Sequence, residues 1–255
     1  MKIHNVQQGS AEWLQLRASH FTASEAPAMI GCSPYMTRTE LLKLKHSGLS
    51  QEVDASTQRL FDKGHETEAM FRPHAEAIIE DDLYPVTGSL EVDGLPLLAS
   101  FDGLTMDYGI GFEHKLWSEA NEVAIKDAGE PPMYHCWQLE QQLLVSGADR
   151  ILFATSDGTP DKALTCWYES KPVRRAALIA GWKQFAADLA AYVPSTVEVK
   201  QIGRTPDNLP ALRIEVTGAV TASNLAEYKA HALEVFKGIN RELTTDQHLP
   251  TPRRS

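Results

Sequence analysis

The stretch ASFDGLTMDYGIGFEHKLW, residues 99–117, places charged side chains in sequence that otherwise has the pattern of buried strands. Apolar runs bounded by Gly and Asp predict adjacent antiparallel strands in LLASFDG, LTMD and IGFEHKLW. Asp102 and Glu113 can point to one face of neighbouring strands, and Lys115 shares that face with Glu113 because strand side chains alternate. The sequence therefore predicts that three charged groups converge on one side of a sheet.

The chemistry of this cluster favours a metal site. Two converging carboxylates repel each other unless a cation lies between them, and Mg²⁺ accepts a few carboxylates, keeps water ligands and binds phosphate oxygens. Lys115 can orient or deprotonate a metal-bound water and offset charge during phosphoryl transfer. His114 faces the other side of the strand, so its backbone carbonyl is the candidate ligand. The alternative is a turn at Asp102-Gly103 and an exposed Glu113–Lys115 ion pair.

Two further polar residues are candidates for the same site. Glu66 lies in the helical pattern over residues 58–80 and could supply a third carboxylate if that helix packs on the strands; Glu68 cannot share its face. Gln138, in the predicted Pro-started helix over 131–145, could hold the attacking water or a phosphate. For each residue the alternative is a solvated position on a helix surface.

A separate cluster has the character of an anion site. In LRASHFTASEA, Arg17, Thr22 and Ser24 surround the start of a predicted helix. Hydroxyl groups and an arginine at a helix N-terminus suit a terminal phosphate. The alternative is that Ser24 is an ordinary N-cap and Arg17 lies in solvent.

Composition restricts the class of protein. The chain has 255 residues, 43% of them hydrophobic and 23% charged, as in soluble globular proteins. Its three cysteines form no CxxC pair, so neither a zinc site nor a disulfide framework is predicted, and a cytoplasmic location is expected. There is no signal-peptide core and no apolar run of membrane-spanning length, so no membrane partner is expected. The net charge of −10 alone argues mildly against a nucleic-acid partner, although a local basic groove can coexist with an acidic exterior.

The order of predicted elements is helices, antiparallel strands, helix, two strands and helix, which indicates a mixed α/β sheet flanked by helices. We predict one domain over residues 1–245 and a disordered tail over 246–255. Residues 201–208 have the pattern of a loop, and 212–216 that of a strand. The other predicted helices cover residues 11–19, 25–31, 39–46, 174–192 and 222–243, and the other predicted strands cover 150–155 and 163–168.

Five segments together resemble the YqaJ-type viral recombinase family, to which phage lambda exonuclease belongs. In chain order they are EWLQLRASHFTASE, GHETEAMF, SFDGL, FEHK and YHCWQLEQQLLV, spanning residues 12–145. Each segment is weak evidence alone, but five in the family's order form a specific pattern. Phe101 replaces the proline that many relatives carry before the aspartate, at a position with no ligand role.

The resemblance implies the PD-(D/E)xK restriction-endonuclease-like fold. It implies Mg²⁺-dependent 5′→3′ digestion of one strand of double-stranded DNA, with Mn²⁺ as a substitute and two ions at the site. The implied ligands are Asp102, Glu113, the His114 carbonyl and Glu66. Lys115 would handle the water, Gln138 would be the active-site glutamine, and Arg17, Thr22 and Ser24 would bind the 5′-phosphate. Asp93 is a looser match, offset by one residue.

The family also implies a homotrimeric ring around the DNA and a single-strand annealing protein as partner, in the cytoplasm of a bacterial host cell. Two alternatives stay open. One is an endonuclease of the same fold, although the iron–sulfur versions need four cysteine ligands. The other is a non-catalytic module that binds DNA ends, against which the intact Asp102, Glu113 and Lys115 argue.

Overall fold

The computed structural model describes residues 1–48, 55–194, 196–204 and 210–217. The chain forms two compact units, Met1–Tyr192 and Val193–Ser255, and each is considered by itself. The helices of the first unit are α1 Ala11–Ala18, α2 Ala26–Ile30, α3 Arg38–Ser47, α4 Ala55–Ile79, α5 Glu119–Ala128, α6 Met133–Ser146 and α7 Pro172–Ala190. Its strands are β1 Lys2–His4, β2 Phe21–Thr22, β3 Tyr84–Val92, β4 Leu95–Leu104, β5 Ile110–Leu116, β6 Arg150–Ser156 and β7 Ala163–Glu169. No helix among these described residues is long and apolar enough to cross a membrane.

The strands of the first unit form one mixed sheet. Along it the order is β1-β3-β4-β5-β6-β7, with β2 paired to β4. Most neighbours are antiparallel, but β5 runs parallel to β6 and β2 runs parallel to β4. The expected mixed α/β sheet flanked by helices is therefore confirmed.

Both faces of the sheet are covered, and β6 shows how. Ile151 and Phe153 pack with residues of α5 and α6, whereas Leu152 and Ala154 pack with Phe71 of α4. A strand buried on both faces has a nearly continuous apolar sequence, which is the pattern of RILFATS in β6.

The long strand β4 opens a fork in the sheet. On one edge it pairs with β3 along its whole length. On the other edge, its first half pairs with β2 through Leu97 and Leu98, and only Gly103 and Leu104 pair with β5. Strand β5 continues beside β6 as far as Leu116. The strands β4 and β5 thus diverge just beyond the Gly103–Phe112 pair, and we call this opening the fork.

Several local predictions are confirmed. The helices predicted over 11–19, 25–31 and 39–46 are α1, α2 and α3. The Ser10 hydroxyl caps α1 by accepting the Trp13 N–H, and Gly31 ends α2 in the left-handed conformation. The strands predicted over 150–155 and 163–168 are β6 and β7, and 212–216 lies within the second unit's strand β9, Pro210–Thr217.

Other local predictions are wrong. LTMD is not a separate strand, because β4 ends at Leu104 and a turn follows. The strand predicted over LLASFDG is confirmed as part of β4, so the alternative of a turn at Asp102-Gly103 is wrong. Residues 201–204 belong to β8, Thr196–Arg204, which pairs antiparallel with β9, instead of to a loop. The helix predicted over 222–243 and the tail over 246–255 lie outside the described residues, and the single domain over 1–245 stays a prediction.

Candidate active site

Asp102 lies at the mouth of the fork. Its Oδ2 accepts the backbone N–H of His114 at 2.8 Å, which ties β4 to β5 where their ladder has ended. Burial, followed by the charges of Glu113 and Glu68, raises the pKa of Asp102 well above its ordinary value. Its neighbour Gly103 is required by packing, since a Cβ there would lie 2.8 Å from the Leu83 Cβ.

Glu113, on β5 across the fork, is a buried carboxylate with 2% of its surface exposed. Its Oε1 accepts from the Lys115 ammonium and from Gln138 Nε2 at 2.6 Å. Its Oε2 accepts from Gln142 Nε2 at 2.5 Å. A buried charge is tolerated when it is paired and hydrogen-bonded in this way.

Lys115 is the cation of this cluster. Burial alone lowers its pKa, but the carboxylates of Glu113, Asp102 and Glu68 together outweigh burial and raise it. The expected convergence of Asp102, Glu113 and Lys115 on one face is therefore present, and the alternative of an exposed surface ion pair is excluded by the burial of Glu113.

The third carboxylate near the site is Glu68, not Glu66. Glu66 lies on the exposed side of α4. Glu68 is half-buried, and its charge acts on both Asp102 and Glu113. Burial, and to a lesser degree Glu113, raises the pKa of Glu68 even though Arg72 Nη2 pairs with it at 2.5 Å. The correction follows from the phase of α4, which turns Thr67 and Phe71 toward the sheet.

The His114 ring faces away from the cluster, as expected. It is buried against Phe71 and Phe112, and its Nε2 lies 2.8 Å from the Ser156 hydroxyl. Burial, followed by the nearby Lys115, lowers the pKa of His114 to about 4.

Three glutamines on one face of α6 donate hydrogen bonds beside the fork. Gln138 contacts Glu113 alone, whereas Gln142 Nε2 spans the fork and also donates to the Ser100 carbonyl at 3.1 Å. Gln141 Nε2 donates to the carbonyls of Phe21 and Leu98, at 2.8 and 3.1 Å. The sequence-based prediction included only Gln138. The i, i+4 spacing of Gln138 and Gln142 would have indicated the second glutamine that donates to Glu113.

The predicted anion cluster is also assembled. Arg17 Nη2 donates to the Ser24 hydroxyl at 3.2 Å, and the Thr22 hydroxyl lies 3.2 Å from that same oxygen. The guanidinium stacks over Trp13 at 4.5 Å and lies 3.8 Å from the Glu25 carboxylate. The cap of this turn is Thr22, which forms a reciprocal capping box with Glu25, so the alternative that Ser24 is a plain N-cap is wrong.

A chain of one cation–π contact and several hydrogen bonds joins the two clusters. Trp13, under Arg17, donates its indole N–H to the Ser100 hydroxyl at 3.1 Å. The Ser100 carbonyl accepts from Gln142, which also holds Glu113. Asp93, in contrast, lies in the turn between β3 and β4 and pairs with Lys183 at 2.7 Å, outside both clusters.

The donor set fits a hard divalent cation. Carboxylate oxygens are the ligands that Mg²⁺ prefers, with several positions left to water and phosphate. The crowding that raises the pKa of Asp102 is what a cation would relieve, and Glu113 Oε2 has a second lone pair beyond the one that Gln142 uses. Within the described residues, no group of three His, Cys, Asp or Glu side chains encloses a metal position, so a bound ion would rely on few protein ligands.

The forked mixed sheet with Asp102, Glu113 and Lys115 at its opening defines the PD-(D/E)xK class of nuclease folds. Within that class, the chain belongs to the YqaJ-like viral recombinase domain family, whose model matches residues 12–149. This confirms the resemblance drawn from the five segments.

Solved structures agree with this fold. An alkaline exonuclease from Laribacter hongkongensis, LHK-Exo, has 21% sequence identity and a TM-score of 0.58 over 71% of this chain and 93% of that one. The same exonuclease in complex with dAMP gives 21% identity and a TM-score of 0.54, with the same coverage. No curated protein matches the chain.

Proposed function

We propose that this protein is a metal-dependent exonuclease that digests one strand of double-stranded DNA from 5′-phosphorylated ends. Digestion in the 5′→3′ direction would leave 3′ single-stranded overhangs for recombination by strand annealing. The observation that carries the proposal is the chain of contacts from Arg17 and Ser24 through Trp13, Ser100 and Gln142 to Glu113. These contacts connect the Arg17 cluster, whose groups suit a phosphate, to the cluster of Asp102, Glu113 and Lys115. Membership of the recombinase family and the fold shared with an alkaline exonuclease support it.

The residues of the fork would share the work of phosphodiester hydrolysis. Asp102, Glu113 and the His114 carbonyl would hold Mg²⁺, with Glu68 as the acid from α4; we propose two ions, with Mn²⁺ as a substitute. When bound, the metal would supply an activated water and stabilise charge on the phosphate. Lys115, whose raised pKa keeps it protonated, would orient the water and offset charge on the phosphate.

Other residues would position these groups. Gln138 and Gln142 keep the Glu113 carboxylate in one orientation by donating to its two oxygens. Arg17, with the hydroxyls of Thr22 and Ser24, would bind the terminal 5′-phosphate and so set the direction of digestion.

The assembly and partners are part of the same proposal. We propose a homotrimeric ring around the DNA, a single-strand annealing protein as partner and a location in the cytoplasm of a bacterial host cell. A ring would reconcile DNA binding with the net charge of −10, because an acidic exterior discourages unproductive contacts while a channel holds the duplex.

Digestion of a linear duplex labelled at either 5′ or 3′ end tests the activity, with and without 5′-phosphate and with Mg²⁺, Mn²⁺ or EDTA. We expect loss of the 5′ label as mononucleotides, dependence on the metal, and a preference for phosphorylated ends. Loss of the 3′ label first would overturn the direction. Cutting of a closed circular duplex would favour an endonuclease, and end binding without digestion would favour a non-catalytic module.

Two variants separate the two clusters. Asp102→Ala is expected to abolish digestion while the protein stays folded, and unchanged digestion would refute the assignment of the metal site. Arg17→Ala is expected to keep hydrolysis of unphosphorylated ends while losing the preference for 5′-phosphate. If Arg17→Ala keeps that preference, the assignment of the phosphate site is wrong.

A further inference from the structure

The proposed function assigns no role to Arg72, a cation that pairs with Glu68 near the fork. Arg72 lies on α4 one turn after Glu68, and its Nη2 pairs with the Glu68 carboxylate at 2.5 Å. Its side chain is 23% exposed, so part of it reaches solvent. Its Nε, in contrast, is buried and has no hydrogen-bond partner among the described residues.

An unpartnered N–H beside a cluster of carboxylates indicates a missing acceptor. A buried donor without a partner carries a desolvation cost, and arginine presents five donors in a rigid fork that matches phosphate oxygens. Glu68 occupies only part of that array of donors. The guanidinium therefore has donors available for an anion beside Glu68, whose own charge acts on Asp102 and Glu113.

The charges of the site favour a phosphodiester as that anion. Glu68, Asp102 and Glu113 oppose Lys115 and Arg72, which leaves a formal charge of minus one. One divalent ion changes this to plus one, and the two proposed ions change it to plus three, so the metal-loaded site attracts a phosphodiester group. Without Arg72, the site would carry one positive charge less at either metal occupancy, and its attraction for a phosphate would be weaker.

We infer that Arg72 contacts the phosphate backbone of the strand being cut, as a second phosphate site distinct from the Arg17 cluster. The inference rests on the proposed function, because it requires DNA at the fork. Glu68 holds the guanidinium in place while DNA is absent. When a metal ion shares the charge of Glu68, more of the guanidinium becomes available to the phosphate.

The salt dependence of DNA binding tests this interaction directly. Binding of a 5′-phosphorylated duplex is measured by fluorescence anisotropy over a series of KCl concentrations in Ca²⁺, with intact DNA verified on a gel. Each phosphate interaction that a variant removes lowers the magnitude of the slope of log K against log salt by about 0.9. We expect Arg72→Gln to show this smaller slope and to weaken binding about tenfold, and Arg72→Lys to keep the slope and regain part of the affinity.

Controls distinguish a phosphate contact from a structural role. Lys126→Gln removes the same charge from a matched i, i+4 pair with Glu122 on α5, and its slope is expected to equal that of the wild type. A folded Arg72→Gln protein with an unchanged slope would overturn the inference, even if its melting temperature falls. Wild-type protein that does not bind duplex ends would overturn the inference and the proposed function together.

A second pair of variants covers the case in which Arg72→Gln does not fold. Glu68→Gln keeps Arg72, and Glu68→Gln/Arg72→Gln removes both charges, so the double variant leaves no half-buried unpaired ion. The slope of log K against log salt is expected to be smaller in magnitude for the double variant than for Glu68→Gln, by about 0.9. Equal slopes for these two variants would reject the contact between Arg72 and the phosphate backbone.

Discussion

Substitution of Gln141 tests how the α6 side chains stabilise the strands beside the fork. The side chain is fully buried, and each of its polar atoms is used: Nε2 donates to the carbonyls of Phe21 and Leu98, and Oε1 accepts the Trp182 indole N–H at 2.7 Å. One amide thus connects β2, β4 and α7. Leucine has a similar volume, so Gln141→Leu removes the hydrogen bonds without opening a large cavity.

The expected cost follows from these hydrogen bonds. Each intramolecular hydrogen bond contributes about 1 kcal/mol net, and a buried partner left unpaired costs about 1–3 kcal/mol. The substitution removes all three bonds of the Gln141 amide and leaves the Trp182 N–H unpaired, so we expect the free energy of unfolding to fall by about 3 kcal/mol. For a chain of this size that corresponds to a fall of roughly 6–12 °C in melting temperature.

Urea unfolding followed by circular dichroism measures this decrease as a lower midpoint at an unchanged m-value. The control is Gln184→Leu, since Gln184 is exposed and its amide bonds to Asp188 on the helix surface; it should change stability by less than about 0.5 kcal/mol. Gln138→Leu, on the same helix face as Gln141, should cost under about 1 kcal/mol yet strongly reduce digestion. A decrease below about 1 kcal/mol in Gln141→Leu would refute the role of this amide.

Three further predictions concern the fork. In metal-free buffer, Asp102→Asn should raise stability at neutral pH; because the folded-state pKa of Asp102 is raised, wild-type stability should fall as pH rises through that pKa, and melting curves against pH should be flatter in the variant. Glu68→Gln should reduce digestion at least about tenfold whereas Glu66→Gln leaves it unchanged, and equal rates would contradict the placement of α4. Gly103→Ala should destabilise by about 1–3 kcal/mol through overlap with Leu83, and an unchanged urea midpoint would contradict this close approach.

The strand part of the site could be predicted because strand periodicity is simple. A spacing of two residues puts Glu113 and Lys115 on one face and His114 on the other, whatever the rest of the sheet does. The apolar run of LLASFDG also predicted a strand that contains Asp102, although the Asp-Gly pair alone is equally typical of a turn. Only the close approach of Leu83 shows why the glycine is there.

The helical part of the site was harder to predict because the apolar residues of α4 do not mark one face. Leu60, Phe61, Met70 and Ile78 are all exposed, whereas Phe71 and Ala75 are buried. Taken together, these residues blur the helical phase, so Glu66 and Glu68 look equally plausible. The buried set alone places Glu68, one turn before Phe71, next to the sheet.

The fork explains why a buried helix carries so many polar residues. Where β4 and β5 diverge, the carbonyls of Leu98 and Ser100 are beyond the reach of the β5 ladder, and buried carbonyls need donors. Gln141 and Gln142 supply them from α6. Because Gln142 serves both a strand carbonyl and Glu113, fold stability and carboxylate orientation depend on one side chain, and neither can be altered there without the other.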